Sequence, residues 1–276
     1  SQAETFPRGM TGQVVVAADE RSLADVEEMF GAVGEWQLLR SDRWVARYEV
    51  RDEALATKLT AKLRNAGHPA VVGPPDEARA VAWEKRNRPT PVGRRAEVCF
   101  PWIGSTAEIV IEIDPGVGFG TGDHPSTRLL LEELSSNITG NESVLDVGCG
   151  SGVLTIASVY FGADRAIGID INTAGLQAAE TNARRNRVSD RTEFFATPLN
   201  EICGNYDVVV ANIHENILRE MANDLVARLA PNGWIGLSGV SPGQLSRLRG
   251  AFPQIIFEEP RTMEDWSALI GRRQIE

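Results

Sequence analysis

From residue 114 to residue 250, short runs of strand-forming residues alternate with longer amphipathic stretches, and this alternation restricts the possible folds more than any other feature of the chain. Strands are predicted near residues 143–147, 166–170, 193–196, 206–211 and 233–239. Helices are predicted near residues 125–136, 152–162, 173–186, 215–229 and 241–250. Because alternating strands and helices pack as a mostly parallel sheet covered on both faces, we predict a doubly wound α/β fold.

The first 75 residues follow a different order. Strands are predicted at 13–18, 36–39, 44–50 and 69–72, and helices at 22–33 and 52–66. This βαββαβ order is typical of the ferredoxin-like split motif, a small α+β domain. A proline-rich stretch at 87–91 then indicates an interdomain linker. We therefore divide the chain into a ferredoxin-like domain at 1–75, a linker at 76–106 and the doubly wound domain at 107–276.

Length, charge and cysteine content narrow the class of protein. The 276 residues suffice for two domains, and no apolar run reaches the roughly 18 to 20 residues of a membrane span. A net charge of −10 argues against a nucleic-acid partner and fits a basic protein partner better. Three cysteines without a CxxC spacing give no basis for a disulfide framework or a thiolate metal site. Without a secretory signal, the expectation is a cytoplasmic protein, a monomer or weak oligomer.

A glycine-rich turn follows the strand predicted at 143–147. Residues 144–152 are VLDVGCGSG, and a helix is predicted directly after them. Glycines let the backbone approach a ligand closely, and a helix N-terminus offers unpaired N–H groups. The dinucleotide fingerprint GxGxxG would require glycine at Val153, and Asp146 would repel a pyrophosphate. The turn is either a structural tight turn or a site for a ligand that is neutral or cationic at its centre, such as S-adenosylmethionine.

Two other stretches carry candidate ligand-binding residues. Asp170 ends the next predicted strand, where a carboxylate can accept both ribose hydroxyls of a nucleotide or cap the following helix. Residues 114–127, DPGVGFGTGDHPST, contain four glycines. They indicate either a lid of backbone and Phe119 over a cofactor or a flexible connection. His124 is either a proton acceptor or a hydrogen-bonding group at the helix start.

Asn212 follows the apolar strand predicted at 206–211. Ligands of doubly wound sheets bind at the carboxyl ends of the strands, so Asn212 is expected at the reacting centre. Its side-chain oxygen is predicted to accept a hydrogen bond from a substrate amine. His214 and Glu215 either line the same pocket or begin the next helix.

These stretches together resemble the ribosomal protein L11 methyltransferase (PrmA) family. The family carries a loop of the form DPGxAFGTGxHxTT, similar to residues 114–127, and VLDVGCGSG, found at 144–152. It also carries Asn-Ile after the fourth strand, found at 212–213, and LSG after the fifth, found at 237–239. The resemblance is close over residues 83–240 and architectural over 1–75.

The resemblance implies a Rossmann-like methyltransferase that transfers a methyl group from S-adenosylmethionine to nitrogen. The implied acceptors are lysine ε-amino or N-terminal α-amino groups of ribosomal protein L11, with the N-terminal domain recognising this substrate. The implied cofactor-binding residues are Phe119, Gly120, Thr121, Asp146, Gly148, Cys149, Gly150, Asp170, Ile171 and Asn212. Asn212 would also orient the amine, and His124 is the second catalytic candidate.

The sequence departs from the family pattern at Asn172 and at Thr197-Pro198, where acids are usual, and at His214-Glu215, where small and apolar residues are usual. Three alternatives stay open. The first is methyl transfer to another protein, a peptide or a small amine. The second is an NAD-dependent oxidoreductase, which Asp146 and the glycine spacing disfavour. The third is a binding protein that has lost turnover.

Overall fold

In the computed structural model, the chain divides into two compact units, Ser1–Asn87 and Arg88–Glu276. The structure describes residues 12–19, 22–31, 35–40, 43–66, 68, 70–72, 88–101, 104–114 and 122–273. The boundary differs from the predicted one, because residues 88–106, placed in the linker at 76–106, belong to the second unit. The first part of the predicted linker, residues 76–87, lies outside the described residues.

The N-terminal unit has the predicted βαββαβ order. Its elements are β1 (Gly12–Asp19), α1 (Leu23–Phe30), β2 (Glu35–Arg40), β3 (Arg43–Val50), α2 (Glu53–Asn65) and β4 (Ala70–Val72). The strands form an antiparallel sheet in the order β2-β3-β1-β4. Because side chains alternate along a strand, Val14, Val16 and Ala46 share one buried core with Leu63 of α2.

The second unit begins with a small sheet. Its strands are β5 (Thr90–Val92), β6 (Ala96–Cys99) and β7 (Ile109–Glu112), in that spatial order. β5 is antiparallel to β6, whereas β6 and β7 are parallel. β7 is consequently an edge strand of this sheet.

A larger, mostly parallel sheet forms the centre of the second unit. Its parallel strands are β8 (Ser143–Val147), β9 (Arg165–Ile169), β10 (Thr192–Phe195), β11 (Tyr206–Asn212) and β12 (Leu229–Val240). The helices are α3 (Pro125–Asn137), α4 (Val153–Tyr160), α5 (Thr173–Arg185), α6 (Glu215–Glu220), α7 (Ala222–Arg228) and α8 (Leu245–Gly250). The five predicted strands and their helices are confirmed, except that the helix predicted over 215–229 is divided into α6 and α7 at Met221.

Three strands at the end of the chain complete this sheet and were not predicted. They are β13 (Ile255–Phe257), β14 (Arg261–Met263) and β15 (Trp266–Arg273). The spatial order is β10-β9-β8-β11-β12-β15-β13, with β14 beside β15. β15 is antiparallel to β12 and separates it from β13. In the dinucleotide-binding order, by contrast, the sixth strand directly follows the fifth.

The order of the parallel strands reverses between β8 and β11, which are hydrogen-bonded neighbours. Alternate residues of these strands face two separate cores, one containing Leu130 and Ile156 and the other containing Leu218 and Leu225. Helices therefore cover both faces, as the predicted doubly wound fold requires. At such a reversal a crevice opens outside the carboxyl ends of the two strands. Within the described ranges, no helix is long and apolar enough to cross a membrane.

Candidate active site

The glycine turn after β8 has a backbone that glycine alone adopts readily. Gly148, Gly150 and Gly152 have φ angles of 78°, 51° and 79°. The turn closes with a hydrogen bond from the Gly152 N–H to the Cys149 carbonyl at 2.8 Å. The N–H groups of residues 148 and 149 both donate to the carbonyl of Ile169, at 2.8 and 3.0 Å. The turn is thereby attached to the end of β9.

Asp170 makes a second connection between the turn and β9. Its Oδ2 accepts the Gly150 N–H and its Oδ1 accepts the Asn172 N–H, both at 2.8 Å. Because each carboxylate oxygen has two lone pairs, both can still accept a ribose hydroxyl. The following Ile171 is 94% exposed and so presents an apolar side chain beside Asp170.

Asp146 is fully buried on β8, behind the glycine turn. Its Oδ2 accepts hydrogen bonds from the Thr155 N–H at 3.1 Å and hydroxyl at 2.7 Å. Its Oδ1 is buried without a hydrogen-bond partner. Burial raises the pKa of Asp146 to about 7. The Thr155 hydrogen bonds lower this pKa, and the negative charge of Asp170 raises it, but both effects are smaller than that of burial. A buried acceptor without a partner is unusual, and a cationic ligand group near it would complete its interactions. The buried carboxylate of Asp146 therefore fits the predicted cofactor, which carries a positive charge.

The side chain of Cys149 packs inside the protein. A Cβ atom on Gly168 would lie 2.9 Å from Cys149 Sγ and 2.8 Å from Cδ1 of Phe194. Burial raises the pKa of the Cys149 thiol far above its ordinary value. Cys149 is therefore suited to contribute backbone rather than thiol to the turn.

Asn212, at the end of β11, is hydrogen-bonded to the first turn of α3. Its Nδ2 donates to Oγ1 of the buried Thr127 at 2.9 Å, which leaves Oδ1 as the acceptor end of the amide. The next residue, Ile213, contacts the glycine turn: a Cβ atom on Gly148 would lie 2.5 Å from Ile213 Cγ2. The predicted cofactor turn and the predicted amine-orienting residue thus lie on two adjacent segments in direct contact.

His124 is the N-cap residue of α3. Its Nδ1 accepts the Ser126 N–H at 3.3 Å and lies 2.7 Å from the Ser126 hydroxyl. Its ring packs edge-on against Trp266 of β15, with centroids 4.7 Å apart. Because Nδ1 accepts the Ser126 N–H, the proton of the neutral ring lies on Nε2. The geometry favours the hydrogen-bonding role at the helix start over that of a proton acceptor.

His214 and Glu215 begin α6. His214 is exposed, whereas Glu215 is buried within 3.6 Å of Arg219 and 3.5 Å of Arg247. Of the two predicted roles, the start of the next helix is the one that these contacts support.

Three predicted cofactor-binding residues, Phe119, Gly120 and Thr121, lie outside the described residues. Within the described ranges, no group of three or more His, Cys, Asp or Glu side chains could hold a metal ion. The predicted site residues did not include several described residues that contact them, namely Thr127, Thr155, Ile213 and Trp266.

The doubly wound sheet, with an antiparallel strand beside its fifth parallel strand and the turn Asp-x-Gly-x-Gly-x-Gly after its first, is the Rossmann-like fold of an S-adenosylmethionine-dependent methyltransferase. The chain belongs to the family described as Ribosomal protein L11 methyltransferase (PrmA), which it matches over residues 9–274.

Several relatives named "Ribosomal protein L11 methyltransferase" are similar to this chain. The protein of Cupriavidus taiwanensis is 40% identical over 210 residues, 72% of this chain and 70% of that protein. The Vibrio campbellii protein is 38% identical over 196 residues, 70% of this chain and 66% of that protein. For Dechloromonas aromatica the identity is 42% over 166 residues, 60% of this chain and only 55% of that protein.

A solved structure shares this fold. The crystal structure of a ribosomal protein L11 methylase from Lactobacillus delbrueckii subsp. bulgaricus superimposes with a TM-score of 0.62 at 26% identity, covering 67% of this chain and 97% of that one. The predicted resemblance and the predicted Rossmann-like α/β fold are confirmed.

Proposed function

We propose that the protein is an S-adenosylmethionine-dependent N-methyltransferase that methylates lysine ε-amino and/or N-terminal α-amino groups of ribosomal protein L11. The observation that carries this proposal is the contact between Gly148 and Ile213, because it brings a cofactor turn beside Asn212. The family name and the names of the relatives support the acceptor.

The cofactor would be held by the two loops that follow β8 and β9. Asp170 would accept the ribose hydroxyls, Ile171 would contact the base, and the backbone of Gly148, Cys149 and Gly150 would line the amino acid portion. Oδ1 of Asp146 would face the cationic part of the ligand. Phe119, Gly120 and Thr121 would cover it. When bound, S-adenosylmethionine supplies a methyl group on a sulfonium, which an amine nitrogen displaces in line.

The protein's own task is to align the neutral amine and to exclude water. Oδ1 of Asn212 accepts a hydrogen bond from the amine, and Thr127 holds the amide in this orientation. A neighbouring positive charge and burial both lower the pKa of an amine, so a strong base is not required. His124, whose Nδ1 is occupied by Ser126, is placed in a supporting role.

We assign recognition of the substrate protein to the N-terminal unit. A net charge of −10 suits a basic partner such as a ribosomal protein and disfavours direct binding of nucleic acid. A cytoplasmic location and a monomeric or weakly oligomeric state fit this role.

The test is mass spectrometry of purified ribosomal protein L11 from the same organism after incubation with the protein and S-adenosylmethionine. Mass gains in steps of one methylene unit are expected, and peptide mapping distinguishes lysine from N-terminal sites. No mass gain, with calorimetry still detecting cofactor binding, would contradict the acceptor and direct the search to another protein, a peptide or a small amine. No cofactor binding would contradict the methyltransferase assignment itself.

A matched pair of variants separates the role of Asn212 from general effects of removing an asparagine. Asn212→Ala is expected to abolish most methyl transfer, because it removes the acceptor at the reacting centre. Asn216→Ala removes an exposed asparagine four residues further along the chain, in α6, and is expected to leave turnover unchanged.

A further inference from the structure

At the C-terminal end of β7 and just beyond it, the backbone is paired with side-chain amides instead of another strand. Glu112 donates its N–H to Oδ1 of Asn186 at 2.9 Å, and its carbonyl accepts Nδ2 of the same residue at 2.7 Å. Asp114 makes the same two hydrogen bonds with Asn182, at 3.0 and 2.9 Å. The two asparagines thus replace the backbone of a neighbouring strand and satisfy an edge that would otherwise be open.

The distances between residues along a helix and along a strand explain why two asparagines fit this edge. Asn182 lies in α5, and Asn186 directly follows α5 with its N–H bonded to the Asn182 carbonyl at 2.9 Å. Residues four apart lie on one helix face about 6 Å apart along the axis. Residues two apart in a strand point to the same side and are separated by about 7 Å.

The Asn182 side chain makes a third hydrogen bond, which reaches the cofactor turn. Its Nδ2 also donates to the carbonyl of Ser151 at 3.0 Å. Both Asn182 and Ser151 are fully buried. One amide therefore connects the glycine turn to Asp114, the residue that begins the glycine-rich stretch 114–127.

We propose that Asn182 is a positioning residue of the cofactor site. Its side chain fixes the position of the 148–152 turn relative to the backbone of Asp114. This inference rests on the proposed function, because it assigns Asn182 to the binding of S-adenosylmethionine. The attachments to Ile169 and Asp170 hold the turn on the β9 side, and Asn182 holds its Ser151 carbonyl. Without this third attachment the turn can shift relative to a bound ligand, and small displacements weaken binding and turnover.

Asn186 provides a matched control. It is also buried and its amide also makes three hydrogen bonds, but the third goes to the Asn182 carbonyl and not to the cofactor turn. Asn182→Ala and Asn186→Ala therefore remove the same number of buried hydrogen bonds. Both are expected to lower the thermal midpoint by a similar amount.

The experiment compares the affinity of both variants for S-adenosylmethionine by calorimetry, at a temperature where both are folded. Asn182→Ala is expected to weaken binding about tenfold and to raise KM for the cofactor with KM for ribosomal protein L11 unchanged. Asn186→Ala is expected to change affinity less than about twofold. Equal affinities of the two variants would overturn the role of Asn182.

Amide hydrogen exchange in the wild-type protein gives the same test if Asn182→Ala does not fold. On addition of S-adenosylmethionine, exchange of the Asp114 N–H is expected to slow more than that of the Glu112 N–H, since Asn182 donates to the turn whereas Asn186 donates to the Asn182 carbonyl. Equal changes at both sites would overturn the inference. A wild-type protein that does not bind S-adenosylmethionine would instead overturn the proposed function, and this inference with it.

Discussion

Thr127 and Asn212, 85 residues apart in the sequence, are joined by a 2.9 Å hydrogen bond from the asparagine Nδ2 to the threonine Oγ1. The bond connects the first turn of α3 to the end of β11. An amide has a donor end and an acceptor end, so anchoring Nδ2 determines the orientation of Oδ1. The orientation of the proposed acceptor for a substrate amine therefore depends on Thr127, to which no reactive role is assigned.

Replacing Thr127 with valine is expected to reduce kcat about tenfold and to leave the affinity for S-adenosylmethionine unchanged. Valine keeps the shape and removes the hydroxyl, so the Asn212 amide loses its anchor and a hydrogen bond of about 1 kcal/mol. Thr127→Ser keeps the hydroxyl and should retain most of the activity. Methyl transfer to ribosomal protein L11 under saturating cofactor measures the difference, and equal rates for the two variants would contradict this role.

His124→Ala is expected to lose less activity than Asp146→Ala. The histidine caps α3, and loss of an N-cap destabilises a protein by about 1 kcal/mol without removing a group from the reacting centre. Asp146 holds the first turn of α4 through Thr155, and in the proposed function its Oδ1 would face the cofactor. Turnover of both variants with ribosomal protein L11 decides the order, and an equal or greater loss in His124→Ala would contradict it.

The elements of the fold that depend on local patterns could be predicted from the sequence. The strand and helix alternation from residue 125 to residue 250 depends on the spacing of apolar residues within each element, which is visible in a short window. The end of the chain differs, because the insertion of β15 between β12 and β13 depends on antiparallel pairing between distant segments. The division of the helix at Met221 was also not apparent from periodicity.

The site residues also divide into those that local sequence predicts and those that depend on distant contacts. The glycines at 148, 150 and 152 and the asparagine at 212 are recognisable because their types and positions carry the chemistry. The residues that hold them in place were missed: Asn182 reaches Asp114 and Ser151 across 68 and 31 positions. Such contacts leave no periodic signal. Two asparagines four apart on one helix face are the signal that could have suggested a buried amide pair.

Asp146 is expected to make the stability of the cofactor-free protein depend on pH. Burial raises its folded-state pKa from the ordinary 3.8 to about 7. A group with a raised folded-state pKa contributes stability below the unfolded pKa and loses it as pH rises through the folded value. The wild-type protein should therefore lose stability relative to Asp146→Asn between about pH 4 and about pH 7, by up to about 1.4 kcal/mol for each pH unit.

Urea unfolding of both proteins at about pH 5 and about pH 8 measures this difference. The comparison cancels other titrating groups, among them Glu133, whose pKa is also raised by burial. Parallel dependence on pH in the two proteins would show that Asp146 is ionised throughout the range.

Gly148→Ala is expected to destabilise the protein by about 2 to 4 kcal/mol and to weaken S-adenosylmethionine binding at least tenfold. Gly204 is the control, because its φ of 88° requires the same left-handed backbone but a Cβ there would meet no atom within 4 Å. Gly204→Ala should therefore show only the backbone strain, about 1 kcal/mol. At Gly148 the new Cβ would also lie 2.5 Å from Ile213 Cγ2. This overpacking is expected to add about 1 to 3 kcal/mol to the loss of stability and to push the turn away from Asn212. Urea unfolding and calorimetry measure both effects, and equal stability losses in the two variants would contradict a close contact between the glycine turn and Ile213.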